Sequence, residues 1–121
     1  MEEVGVLIVD DQALSREAMA AVVEATDGFV LVGSVTTGED ALVAARRLRP
    51  RLVLMDVNLP GIDGVEATRR LRAGDRPPVV VLVSSYKEAE LDLRGCGAQS
   101  YIPKGDFGPD RLAETWASRA R

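Results

Sequence analysis

Asp10, Asp11, Asp56, Ser84 and Lys104 are the side chains of this sequence best suited to chemistry, because each follows an apolar run. VGVLIV precedes Asp10-Asp11, LVLM precedes Asp56, VVVLV precedes Ser84 and SYIP precedes Lys104. Brought within a few ångströms, three carboxylates repel, and without a counter-charge at least one would be protonated at neutral pH. A divalent cation removes that conflict. An all-oxygen donor set with an open side suits Mg²⁺ or Mn²⁺ rather than zinc, since the chain has no histidine and a single cysteine, Cys96. An ionised Asp can accept a phosphoryl group covalently. With the cation bridging Asp56 to the incoming group, Lys104 neutralising a second oxygen and Ser84 bonding a third, each equatorial oxygen of an in-line transition state has a partner. Alone, Asp56 before Leu59-Pro60-Gly61 could equally be a turn-capping aspartate, the common role of loop Asp.

The elements that must position these groups alternate regularly. Strands are expected at Val4 to Val9, Phe29 to Val35, Leu52 to Met55, Val79 to Val83 and Ser100 to Ile102; unbroken apolar runs mark strands covered on both faces. Helices are expected between them. Leu14 to Ala25 carries Leu14, Ala18, Ala21, Val22 and Ala25 on one face, with Gln12 or Ser15 placed to cap. Thr37-Gly38-Glu39-Asp40 opens a helix with Ala41, Leu42, Ala45 and Leu48 that Pro50 ends. Gly64 to Ala73 turns Val65, Ala67, Thr68 and Leu71 inward and a solvating face of Arg69, Arg70 and Arg72 outward. Lys87 to Leu93 is brief, and a last helix from Gly108-Pro109 buries Trp116.

Strand and helix in this alternation predict an α/β fold: a flavodoxin-like, doubly wound, five-stranded parallel sheet of order 2-1-3-4-5 with helices on both faces and right-handed crossovers. That order sets the first and third strands side by side at the switch point, so Asp10, Asp11 and Asp56 become neighbours. With 121 residues, 46% hydrophobic and 28% charged, one domain over 1–121 with a core of about 4–117 is expected. A net charge of −4 with no basic stripe argues against direct nucleic-acid binding. The acidic start at Glu2-Glu3 and strand-sized apolar runs argue against a leader or a membrane span, and the lone Cys96, packed or half-exposed, fits a reducing cytoplasm.

The acid pair Asp10-Asp11, Asp56 in LMDVNLPGIDG, Ser84 at the end of the fourth strand and Lys104 after GCGAQSYIP together resemble the receiver domain of bacterial two-component response regulators, from Val4 to Trp116. Each motif alone is weak; the ordered set is specific. The resemblance implies that a sensor histidine kinase donates phosphate to Asp56, that Asp11 binds Mg²⁺ directly and Asp10 through water, and that Asn58 offers its backbone carbonyl. It makes Ser84 and Tyr101 a switch pair acting on the face built from the fourth helix, last strand and last helix. It also makes Asn58 and Tyr86, flanking the site, tuners of aspartyl-phosphate hydrolysis. Implied partners are an output protein or a carboxyl-terminal effector domain, DNA-binding in some relatives, and a second copy through the last-helix face.

Departures from the family pattern bear on that face. The chain between Ser84 and Lys104 is about two residues short of the family's length, Gly95 and Gly97 weaken any helix there, and Pro103 precedes Lys104 where many relatives place proline after it. A short or irregular fourth helix and no cis peptide at that junction are expected. Three other readings compete. A phosphatase or phosphotransferase needs a general acid two residues after the nucleophile, where this chain has Asn58. A degenerate receiver acting as a phosphorylation-independent interaction module, or a flavin module of the same topology, has no use for the intact acid set.

Overall fold

The computed structural model describes residues 3–85 and 95–119. Its five strands, β1 (Val4–Val9), β2 (Phe29–Val35), β3 (Leu52–Met55), β4 (Val79–Ser84) and β5 (Ser100–Pro103), form one parallel sheet of order β2-β1-β3-β4-β5. That is the expected order. The described helices are α1 (Ala13–Glu24), α2 (Gly38–Leu48), α3 (Gly64–Arg72) and α4 (Pro109–Ser118).

Period-2 alternation divides each central strand between two cores. Leu7, Val9, Val53, Met55, Val80, Leu82 and Tyr101 pack beneath Ala41 and Ala44 of α2 and Ala67 and Leu71 of α3. Val6, Ile8, Leu52, Leu54, Val81, Val83 and Ile102 meet Met19 and Val23 of α1 and Leu112 of α4. Both faces being covered explains why the runs lack polar alternation, and each fully buried Leu or Ile adds about 2 kcal/mol. β2 lies at the sheet edge and is only half-buried, with a register shift opposite Val6 and Leu7.

Local chemistry sets the helix ends. The Thr37 hydroxyl accepts from Asp40 N–H at 3.0 Å and the Asp63 carboxylate from Glu66 N–H at 2.8 Å, capping α2 and α3. Arg49 closes α2 in the left-handed region, φ 49°, ahead of Pro50. Pro109 occupies the first turn of α4, where its missing N–H costs nothing.

Three expectations need correction. In α1 the buried residues are Met19 and Val23, while Leu14, at 81% exposure, and Ala18, Ala21 and Ala25 face solvent. Alanines fit either face, so their spacing did not identify the buried stripe; the long side chains of Met19 and Val23 fill the sheet surface. Gln12 occupies the cap position without a side-chain hydrogen bond. Trp116 is half-buried rather than buried, edge-on to Phe29 at 6.2 Å with the Arg51 and Arg119 guanidinium groups over its ring.

The arginines of α3 are also more than a solvated face. Arg69 and Arg70 both pair with Glu66, and Arg72 donates to the Pro78 carbonyl at 3.0 Å. The expected brief helix at Lys87 to Leu93 lies outside the described residues. No cis peptide bond occurs among the described residues, as expected.

Candidate functional site

Sheet register alone delivers the site. Val9 pairs with Met55, Met55 with Leu82, and Ser84 with Pro103, so Asp10, Asp56, Ser84 and Lys104 emerge together at the carboxyl edge. Backbone bonds hold the exits: Asp10 N–H donates to the Val35 carbonyl at 3.1 Å, and Asp56 N–H to the Val9 carbonyl at 2.9 Å.

One oxygen from each of Asp10, Asp11 and Asp56 lies within 4.8 Å of the others. Asp10 is fully buried, Asp56 is 5% exposed, and Asp11 faces solvent. Lys104 enters from beyond β5 with its Nζ 2.9 Å from Asp10 Oδ2 and 3.7 Å from Asp56 Oδ2. The ammonium therefore binds Asp10 more closely than Asp56, which the spacing of the residues in the sequence had no means to show. Asp56 Oδ1 accepts from Val57 N–H at 2.9 Å, and the Ser84 hydroxyl hydrogen-bonds the same carboxylate.

The Asp56 carboxyl is held above its usual protonation range. Burial is the largest cause and the neighbouring Asp10 charge the second; Lys104, Ser84 and the Val57 amide pull the other way. The conflict expected of clustered carboxylates is present, and one lysine does not resolve it.

The residues fit a hard divalent cation. Their donors are all oxygen. Among the described residues buried Asp10 Oδ2 has no hydrogen-bond partner and lies against the Lys104 ammonium, so a lone pair stays available toward the cluster. Exposed Asp11 leaves a solvent side, which suits Mg²⁺, an ion that keeps several waters.

The loop after Asp56 is shaped by close packing. A side chain at Gly64 would collide with the Asp56 backbone carbonyl, and Gly64 N–H donates to the Val57 carbonyl at 2.8 Å. Glu39 of α2 accepts from Ile62 N–H at 3.2 Å, and Gly61, at φ 74°, leaves room for that carboxylate. Arg16 of α1 donates to the Asp10 carbonyl at 2.9 Å. Gly64, Glu39 and Arg16 were not singled out from the sequence. A glycine opening a helix eight residues after the acid was the available signal for the first; the other two act across the fold and left none.

Among the other expected residues, Asn58 is exposed on this loop. Ser84 is buried, and its carbonyl accepts from the Tyr101 hydroxyl at 3.1 Å; the Tyr101 ring is itself inside, 6% exposed. Tyr86 lies outside the described residues. Cys96 is buried.

Comparison with known proteins agrees with this fold. Residues 6–117 match the family described as response regulator receiver domain. The chain is 38% identical over 117 residues to the positive alginate biosynthesis regulatory protein of Pseudomonas aeruginosa, covering 96% of this chain and 47% of that protein. It is 41% identical over 102 residues to the response regulator GacA of Pseudomonas protegens, covering 83% and 48%. The chain thus spans about half the length of these curated relatives. Among solved structures, a two-component response regulator of the LuxR family from Aurantimonas sp. SI85-9A1 superposes with a TM-score of 0.85 at 27% identity, covering 98% of this chain and 86% of that one. The response regulator domain of Thermotoga maritima CheB, at 24% identity and a TM-score of 0.84 over 99% and 98%, shares the fold.

Proposed function

The chain belongs to the receiver domain family of response regulators, and from that premise we propose that Asp56 accepts a phosphoryl group from the phosphohistidine of a sensor kinase. The observation that carries this reading is a buried carboxylate at a strand end, flanked by two acids and faced by one ammonium at 3.7 Å. In the transfer an Asp56 oxygen forms a bond to phosphorus as the phosphorus–nitrogen bond breaks, and the imidazole nitrogen keeps the electron pair. Mg²⁺ or Mn²⁺ held by Asp10, Asp11, Asp56 and the Asn58 backbone carbonyl would supply charge neutralisation for the phosphoryl oxygens.

The chain's own groups do the rest. Val57 N–H orients the Asp56 carboxylate, Lys104 offsets a second oxygen's charge, and the Ser84 hydroxyl bonds a third. The link from the Ser84 carbonyl to the Tyr101 hydroxyl couples movement at the phosphoryl group to β5 and the output face. Asn58 and Tyr86 tune hydrolysis of the acyl phosphate. The chain carries no chemistry beyond gaining and losing that group, and works in the cytoplasm; among the described residues no helix is long and apolar enough to cross a membrane. Its signal passes to an output partner or effector domain by contact.

Incubation with Mg²⁺ and acetyl phosphate tests this. The expected result is a hydroxylamine-labile gain of one phosphoryl mass, absent in Asp56→Asn and without the metal. Absence of that mass from the unmodified chain, or its persistence in Asp56→Asn, refutes the reading.

A further inference from the structure

Opposite the acid site, where the strands begin, lies a groove of about 900 Å³, within the range of small-molecule sites. Its lining includes Arg46 and Arg49 from the end of α2, Arg51 ahead of β3, Arg70 and Arg76 around the end of α3, and Arg119 after α4. In a chain of net charge −4 this concentration is unusual, and Asp75 is the carboxylate in the lining. Arg70 pairs with Glu66 at 2.9 Å, a carboxylate it shares with Arg69. Among the described residues, Arg46, Arg49, Arg51, Arg76 and Arg119 have no acidic partner within salt-bridge distance.

The ordinary explanation is that these arginines offset the carbonyl ends of α2, α3 and α4. Each helix end carries roughly half a negative charge, so the three account for about 1.5 charges. Five unpaired arginines less Asp75 and those helix ends leave about 2.5 positive charges uncompensated. Two of the guanidinium groups are also held in advance. Arg51 stands 5.3 Å and Arg119 3.8 Å from the centre of the Trp116 ring, and Arg119 donates to the Trp116 carbonyl at 2.7 Å. Guanidinium groups fixed on an aromatic ring lose less entropy on gripping an oxyanion, and their planar donors match phosphate oxygens.

We propose that this arginine groove binds an oligophosphate chain, the feature shared by inorganic polyphosphates and the tails of nucleoside triphosphates. A pyrophosphate or longer chain matches the uncompensated charge and can reach several guanidinium groups; a monophosphate cannot. The groove shares no residue with the phosphoacceptor site, so the proposal is independent of the function assigned to Asp56.

Trp116, the chain's single tryptophan, lines the groove and gives a direct readout. Its fluorescence would be titrated with tripolyphosphate, ATP and inorganic phosphate, with EDTA present so that a metal at the acid site does not contribute. Saturable change with tripolyphosphate, at least tenfold weaker for phosphate and weakened by salt, is expected. Arg46→Ala combined with Arg76→Ala, both exposed positions, should weaken binding at least tenfold with an unchanged melting temperature; Arg49→Asn, which tolerates the left-handed backbone, should weaken it alone. Equal affinity for tripolyphosphate and ATP identifies the phosphate chain as the recognised element, and tighter ATP binding a nucleotide. No response to tripolyphosphate at millimolar concentration, equal affinity for phosphate, or binding unchanged in the Arg46→Ala/Arg76→Ala variant overturns the proposal.

Discussion

Lys104→Met removes the positive charge from the acid cluster while keeping a chain of similar length. In the folded chain Nζ lies 2.9 Å from Asp10 Oδ2 and 3.7 Å from Asp56 Oδ2, attractions of about 6 and about 4 kcal/mol at an effective dielectric of 20. Those gross terms are offset by the cost of desolvating the ammonium. Breaking such a pair leaves buried charge uncompensated and costs about 3–5 kcal/mol; because the Lys104 side chain stays 22% exposed, the lower end, about 3 kcal/mol, is expected. For a chain of this length that is a fall of about 10 °C in melting temperature at neutral pH.

The pH dependence gives the sharper test. Burial and Asp10 already raise the folded-state pKa of Asp56, so the folded chain binds more protons than the unfolded one from about pH 3.9 upward. Stability contributed by this group is therefore lost as pH rises through the window, and the penalty is complete above the folded value. Lys104 is one of the groups that pulls the value down, so its removal extends the window upward. The variant's deficit should be largest at neutral pH, shrink as pH is lowered, and shrink again when Mg²⁺ replaces the missing positive charge. Urea unfolding of both proteins at pH 7 and pH 5, with and without Mg²⁺, measures all three. Equal stability at neutral pH, or a deficit that does not change with pH, would refute the electrostatic account.

Mg²⁺ at 100 times its dissociation constant should stabilise the chain by about 2.7 kcal/mol, a rise of about 10 °C by calorimetry that EDTA reverses and Asp11→Asn abolishes. Gly64→Ala separates helix propensity from packing: propensity alone predicts a gain of up to about 1 kcal/mol, whereas collision with the Asp56 carbonyl predicts a loss of about 3 kcal/mol, read from thermal melts. Tyr101→Phe loses the bond to the Ser84 carbonyl and should cost about 1 kcal/mol in chemical denaturation, leaving phosphoryl uptake at Asp56 intact.

Much of the site was legible in the sequence for one physical reason. A strand covered on both faces excludes polar groups until it ends, so Asp10, Asp56 and Ser84 stand out at the ends of VGVLIV, LVLM and VVVLV. Parallel topology then requires those ends to share one edge. Local hydrogen bonding likewise made Thr37 recognisable as a helix start.

Tertiary structure decided what local pattern could not. The buried stripe of α1 depends on which residues reach the sheet, and about three alanine-rich turns do not specify it; Met19 and Val23 do so only once docked. Lys104 lies closer to Asp10 than to Asp56 because the β4–β5 register and the turn after Pro103 set its reach. The arginine groove gathers residues from 46 to 119, brought together where three helices end. Residue type and short-range spacing determine which groups arrive at which strand end, whereas the distances between groups from different elements depend on register and helix docking, which arise only when the whole core is packed.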